Sequence, residues 1–383
     1  MYARCCFLTC SCATLGWVYG KSCFYSRNFS VRYFQCSSQR NRSLIMSTNS
    51  VTQQGIRILF LGTPTCAAKS LQRWLELSHQ NPYIRIVSVI TQSPCDKPSR
   101  KQILSPVHMV ASQNQIPIWT PDNVRDPAFL SKVREWEPDL AITAAYGKLL
   151  PPNFLSIPKY GVVNIHPSLL PKFRGAAPIQ RALQQGVEET GVSILFTVTK
   201  MDAGPIIAQQ KVSLSGDEMA GPLLIDLFLK GTDLLAQHLE SIVSGTVQTI
   251  YQNEDEATYA PKLKKEEGWL SFQENAWYVH NKVRAFADSI GTFANFDIQE
   301  RGIQRLKIHK TRLVRRNGFP ALGIHQLVLN PEKDALRVTC DDGSQLDILE
   351  IQASGKRIMT AREFYNGLQG KKIQREKVDW LRH

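Results

Sequence analysis

The chain has 383 residues, 43% of them apolar and 21% charged, with a net charge of +13. That length suits two domains of ordinary size. No run approaches the roughly 20 apolar residues of a membrane-spanning helix, so no membrane partner is expected. The charge is uneven, +6 over residues 1–50, zero over 51–261 and +7 over 262–383. A neutral middle suits a small-molecule enzyme, and a basic end suits a polyanionic partner or is simply a solvated surface.

Residues 1–50 carry six Lys/Arg and no acid, interleaved with Ser and aromatic residues. This is the composition of an organelle transit peptide. A secretory signal is the competing reading, since Phe7–Gly20 is fairly apolar. Basic residues continue to Arg42, however, and the body keeps only Cys66, Cys95 and Cys340, without metal-ligand spacing. Such usage fits a reducing compartment. A mitochondrial matrix address is favoured, a plastid is the residual one, and Met46 offers an internal start for a cytosolic form.

From Ile56 onward, short apolar runs alternate with helical stretches. Strands are expected at Ile56–Gly62, Tyr83–Thr91, Ile116–Trp119, Asp139–Ala145, Gly161–Ile165, Val192–Val198 and Ile206–Leu214. Helices fall between them, and a long one runs from Met219 to about Val243. Continuous apolar strands alternating with helices imply a doubly wound, mostly parallel α/β sheet, Rossmann-like, over 51–244. Gly62-Thr63-Pro64 fits neither a dinucleotide nor a Walker loop and reads as a turn. Residues 245–262 read as a linker. Over 263–383, several short strands with glycine or charged turns suggest a small antiparallel barrel, OB-like, ending in a basic tail.

Ligands of open α/β sheets collect beyond the carboxyl ends of the strands. There the chain places Asn164 and His166, two apart on an extended segment and so on one face, and Asp202 after the next strand. The grouping suits carbonyl chemistry: attack of an amine on a carbonyl carbon builds negative charge on oxygen and positive charge on nitrogen. Asn164 can donate to that oxygen. His166 can assist there or take the amine proton, with its tautomer and proton affinity set by Asp202. Each residue alone would more often be structural; the grouping is what points to chemistry.

NIHPSLLPKFRGAAPIQRAL (Asn164–Leu183) resembles the signature of folate-dependent formyltransferases. The likeness extends through FLGTP at Phe60–Pro64, AYGKLLP at Ala145–Pro151, ETGVSI at Glu189–Ile194 and MDAG at Met201–Gly204. It continues in TYAPKLKKEEG at Thr258–Gly268 and LEIQASGKRIMTAREFYNG at Leu349–Gly367. The RGAAPIQRA stretch and the C-terminal segments are similar mainly to the branch acting on methionyl-tRNA.

The resemblance implies Asn164, His166 and Asp202 as catalytic residues and 10-formyltetrahydrofolate as co-substrate, with no metal. It implies that Ser168, Leu169, Leu170 and Pro171 border the folate, together with Tyr146, Gly147, Lys148, Leu149 and Leu150. Methionyl-tRNA would be gripped by the barrel and its tail (Lys371, Lys372, Arg375), by Arg174, and by the loop Ser93–Leu104 with Lys97, Arg100 and Lys101. That loop departs from the family's glycine-containing, more basic string. Phe173 stands where the family often has Trp, keeping an aromatic wall. A monomer is expected. The alternatives are formyl transfer to a small amine, hydrolysis of formyl-folate, and a non-catalytic RNA-binding relative.

Overall fold

The computed structural model describes residues 55–93, 103–314 and 325–376. The leader (1–50), Lys97, Arg100 and Lys101 lie outside them. In chain order the first half runs β1 (Ile56–Gly62), α1 (Thr65–Gln80), β2 (Ile84–Ile90), α2 (Pro106–Gln113), β3 (Ile118–Trp119) and α3 (Pro127–Glu135). Next come β4 (Leu140–Ala144), α4 (Pro152–Leu155), β5 (Val162–His166) and β6 (Arg174–Gly175). It ends with α5 (Pro178–Gln185), β7 (Glu189–Phe196), β8 (Ile206–Ser213) and α6 (Ala220–Ser244).

Seven strands form one sheet in the order β3-β2-β1-β4-β5-β7-β8. The pairings from β3 to β5 are parallel, and β7 and β8 are antiparallel additions. The alternation along β1 explains why its sequence is apolar from Ile58 to Leu61: Ile58 and Phe60 enter a core under α1, α2 and α6, whereas Leu59 and Leu61 face α3 and α4. Both faces are thus covered, as a doubly wound sheet requires. Local chemistry fixes the helix starts. Ser105 and Asp126 accept hydrogen bonds from backbone amides two or three residues on, each followed by proline at the first helical position. The chain leaves β3 for β4 on the other side of β1, so the strand order switches direction between β1 and β4. Above that point the sheet opens a crevice.

The linker is not free. Ile250 bridges to Ile206, and β9 (Tyr259–Ala260) pairs in parallel with β6. The second half comprises α7 (Ala276–Phe286), β10 (Phe293–Ile298), β11 (Gly302–Leu313), β12 (Gln326–Leu329), β13 (Leu336–Thr339) and β14 (Gln345–Ala353). It finishes with β15 (Met359–Thr360), α8 (Ala361–Asn366) and β16 (Ile373–Arg375). Strands β11-β10-β16-β12-β13-β14 are antiparallel neighbours, and a β11–β14 pairing closes them into a six-stranded barrel. The stretch read as a basic tail therefore includes a barrel strand, since Ile373 is buried between β10 and β12.

Helix α7 joins the halves. Ala276, Val279 and Val283 pack into the barrel core, whereas Ala285 and Phe286 enter the first core. Arg181 of α5 grips Glu267 through two nitrogens at 2.5 and 3.0 Å. At the same joint His280 donates Nε2–H to the Gly216 carbonyl at 3.0 Å, and burial pushes its proton affinity down.

Gly186 caps α5 at φ 68° and Gly245 caps α6 at φ 72°. A Cβ on Gly186 would fall 2.0 Å from the Trp277 ring, whereas one on Gly245 meets nothing within 4 Å. Both alanine variants carry a left-handed strain of about 1–2 kcal/mol. Gly186→Ala is expected to add about 1–3 kcal/mol of overpacking, so its thermal unfolding midpoint should fall below that of Gly245→Ala. Equal midpoints would show that α7 gives way without cost.

Candidate active site

Strand β5 carries the two polar residues of the crevice. In register it pairs Asn164 with Thr143 of β4 and with Leu195 of β7. Asn164 and His166 both line a cavity of about 550 Å³, the size of a small-molecule pocket. Pro64 and Cys66 after β1, Thr143 on β4 and residues Ala145–Leu150 after it also line it, which places it at the switch point. Asp202 enters from the turn between β7 and β8.

The hydrogen-bonding partners decide how each group is presented. The Thr143 hydroxyl donates to Asn164 Oδ1 at 2.8 Å, and Asn164 Nδ2 donates to Asp202 Oδ1 at 3.3 Å. A carboxylate only accepts, so the amide cannot be reversed. His166 is buried, with Nε2 3.0 Å from the Phe173 carbonyl. A carbonyl also only accepts, so Nε2 carries the hydrogen and neutral His166 keeps its lone pair at Nδ1. That atom faces Asp202 Oδ1 at 3.7 Å, beyond hydrogen-bond length but close for a charge pair. The second carboxylate oxygen accepts the Gly175 amide at 2.9 Å. The site thus offers an amide donor, an imidazole free to accept a proton, and a carboxylate beside both.

Three non-glycine residues around this group have positive φ: Ala145 (47°), Phe173 (61°) and Asp202 (50°). Such conformations cost about 1–3 kcal/mol each, so something must hold them. The Tyr146 carbonyl accepts from Gln92 Nε2 at 2.6 Å and from Thr63 at 3.2 Å. The Phe173 amide donates to the Thr258 hydroxyl at 2.8 Å. Gln252 Nε2 donates to the Asp202 and Gly204 carbonyls, both at 2.8 Å.

Of the residues expected to border a ligand, Tyr146, Gly147, Lys148, Leu149 and Leu150 line the cavity. Lys148 does so with its ammonium turned away, donating to the carbonyls of Pro121 and Asp122. Ser168, Leu169, Leu170 and Pro171 are not among the lining residues. Ser193 accepts the Leu170 amide at 3.0 Å and donates to the Ser168 carbonyl, Gln209 holds the Leu170 carbonyl, and Leu169 lies over Gly191. These contacts draw that segment onto β7 and β8.

Two cations expected at a nucleic-acid contact are engaged within the fold. Arg174 is 1% exposed, its guanidinium shared between Gln252 and Glu254. Arg174 and Lys200 together hold the Glu254 carboxyl down at about 2. Arg375 is 5% exposed, bonded to the Phe272 carbonyl and to Asp341. Neither can reach a phosphate without leaving those partners. Lys371 pairs with Glu300 at the surface, and Lys372 is exposed. The Phe173 ring packs with Ala182 and Ala260, and Phe173 meets the site through its carbonyl. Thr143, Gln252 and Thr258 were not anticipated as parts of the site. The only sequence hint was Thr258, inside the TYAPKL stretch.

Among the described residues no cluster of His, Cys, Asp and Glu could hold a metal ion, and no helix is long and apolar enough to cross a membrane. The buried Thr197 hydroxyl at the cavity wall has no partner among the described residues. A ligand's polar group entering the cavity is a natural partner for it.

Residues 56–224 match the formyl transferase family and residues 262–369 the formyl transferase C-terminal domain. The chain is 35% identical over 314 residues to the methionyl-tRNA formyltransferase of Myxococcus xanthus, covering 81% of this chain and 95% of that one. It is 36% identical over 315 residues to the methionyl-tRNA formyltransferase of Chlamydia trachomatis, covering 82% and 96%. Among solved structures, the sugar 3N-formyl transferase WlaRD superposes with a TM-score of 0.55 at 20% identity, over 79% of this chain and 99% of that one. The N-formyltransferase of Helicobacter canadensis does so at 0.54 and 20%, over 78% and 99%. These two likenesses concern the fold. With both regions present in order and identity above a third along almost the whole of its relatives, the chain belongs to the formyl transferase family, in its methionyl-tRNA formyltransferase branch.

Proposed function

We infer that the chain transfers the formyl group of 10-formyltetrahydrofolate to the α-amino group of methionyl-tRNA. The observation that carries this reading is kinship with methionyl-tRNA formyltransferases over 95–96% of their length. The site supplies matching chemistry. A folate needs apolar walls with a few convergent polar groups, and Tyr146, Leu149 and Leu150 stand beside Asn164, His166 and Asp202 in one cavity.

Bound there, 10-formyltetrahydrofolate provides the formyl group. Asn164 Nδ2, its amide fixed by Thr143, donates to the formyl oxygen as charge builds on it during attack by the amine. His166 Nδ1 takes the proton that the amine nitrogen loses, and the Asp202 carboxylate offsets the imidazolium charge. His166 then returns that proton to the departing folate nitrogen as its bond to the formyl carbon breaks. The imidazole ends neutral, ready for another turnover.

The division of labour follows the charge. The stretch 51–261, net zero, contains the sheet that does the chemistry, and the basic region 263–383, with the loop Ser93–Leu104, holds tRNA as a monomer. The leader directs the chain to mitochondria, where the formylated product starts organellar translation.

With radiolabelled formyl donor, label is expected on methionyl-tRNA and not on small amines, nor as free formate without an acceptor. Label released equally without tRNA would leave a hydrolase instead. Replacing Asn164, His166 or Asp202 with alanine should each lower kcat on the order of 10²-fold or more while tRNA binding holds. Normal turnover in His166→Ala removes it from the mechanism.

Phosphate contacts release counterions, so log affinity for tRNA should fall with log salt by roughly 0.7–0.9 per contact. Reversing Lys371 and Lys372 should flatten that slope for all tRNAs. An unchanged slope would leave the barrel as a solvated surface.

A reporter fused to residues 1–50, which hold Arg4, Arg27, Arg32, Arg40 and Arg42, should enter mitochondria and be trimmed between about Cys36 and Ser50. Secretion of the reporter, or an uncut cytosolic product, rejects the address.

A further inference from the structure

The turn that carries Asp202 lies outside any strand and is held from the linker. Gln252 Nε2 donates to the Asp202 carbonyl and to the Gly204 carbonyl, each at 2.8 Å. Its Oε1 accepts Arg174 Nε at 3.0 Å and Nη2 at 2.8 Å. Two amide hydrogens and two lone pairs are all that a glutamine has, so this side chain is saturated and its orientation fixed. The same arginine binds both oxygens of Glu254 at 3.1 Å, and Glu254 takes Lys200 at 2.6 Å, at the other end of the turn. A ring of side chains thus clamps the turn to the linker. The clamp has strain to resist, because Asp202 sits at φ 50°, a conformation that costs about 1–3 kcal/mol.

We infer that Gln252 is a positioning residue for formyl transfer, with buried Arg174 as its anchor: by gripping the two carbonyls it keeps the Asp202 carboxylate against Asn164 and His166. The inference rests on the catalytic reading of Asp202 and deepens it. Gln252 touches no reacting atom and acts only through that turn. Released from its clamp, the turn relaxes toward ordinary φ values, and the carboxylate leaves its place beside Nδ1. A shift of about 1 Å in a catalytic group can cost on the order of 10²-fold in rate.

The test uses the full chain with methionyl-tRNA and formyl donor, comparing Gln252→Ala, Gln252→Glu, Asp202→Ala and the double variant Gln252→Ala/Asp202→Ala. Gln252→Glu is nearly isosteric and still faces Arg174, but an ionised carboxylate donates to no carbonyl. Both Gln252 variants should lose kcat by about 10- to 100-fold, with KM for both substrates unchanged and the chain still folded, although the Gln252→Ala midpoint should fall because buried Arg174 loses two hydrogen bonds. The double variant should be no slower than Asp202→Ala alone, since residues acting as a unit are not additive.

Full kcat in Gln252→Ala beside an impaired Asp202→Ala overturns the inference and leaves the catalytic reading standing. So does full kcat in Gln252→Glu, which would credit the Arg174 contact alone. A multiplicative double variant, or loss of fold in both Gln252 variants, gives Gln252 a general structural part and also overturns it. Full kcat in Asp202→Ala removes the catalytic reading, and the inference falls with it.

Discussion

The hydrogen bond from His166 Nε2 to the Phe173 carbonyl, 3.0 Å long, decides what this site can do. A backbone carbonyl cannot exchange roles, so the imidazole has one usable base, Nδ1, and that atom points at Asp202. Had the partner been a hydroxyl, either tautomer would have been stable, and the lone pair could have been lost to the interior. The carbonyl is available because Phe173 adopts positive φ, turning its peptide back toward β5. That turn is held by Thr258 on the amide side. A single backbone reversal therefore links a linker threonine to the tautomer of the proposed base.

A site of this kind concentrates buried polar atoms, which are tolerable only when paired. Arg174 shows how the pairing is arranged. Its side chain is 1% exposed, and leaving a guanidinium there without partners would cost several kcal/mol. Gln252 and Glu254 remove that cost, and each of them goes on to a second bond with the Asp202 turn or with Lys200. Exposed Glu254 adds little by itself. Its value lies in closing a ring whose other members are buried. The ring binds the segment following β5 to the segment following β7, so the two polypeptide stretches that carry the proposed catalytic groups cannot move independently.

The sheet was legible because the sequence writes burial directly. After Arg57, IRILFLG is apolar at consecutive positions since its alternate residues feed two cores, as a covered parallel strand requires. Asn164, His166 and Asp202 were legible because their spacing puts polar groups at strand ends. What surrounds them was not. Thr143, Gln252 and Thr258 are common polar residues with no chemistry of their own, and their meaning comes from contacts up to 85 residues away. Ser168–Pro171 shows the same thing: the stretch follows the site in sequence, and Ser193 and Gln209 hold it against the far strands. Composition likewise counts positive charges without showing which are already neutralised. Glu254 and Asp341 neutralise Arg174 and Arg375, and neither pairing has a signature in spacing.

The linker was the other segment that sequence understated. Polar and acidic, it has the composition of a flexible tether, but β9 pairs with β6 and Ile250 with Ile206. Its backbone groups would otherwise face the molecule unpaired, and the strand edges nearby lack partners, so pairing satisfies both. The joint beyond it is equally specific. Helix α7 belongs to two cores at once, Arg181 and Glu267 tie α5 to the segment just after the linker, and Gly186 leaves room for Trp277. A soft tether would let a barrel holding a large acceptor drift by several ångströms relative to the cavity. Proximity contributes to rate only when the reacting atoms are held to within a fraction of that distance. The same linker therefore meets two needs of the proposed reaction: it fixes the barrel against the sheet, and it supplies the side chains that hold the catalytic turn.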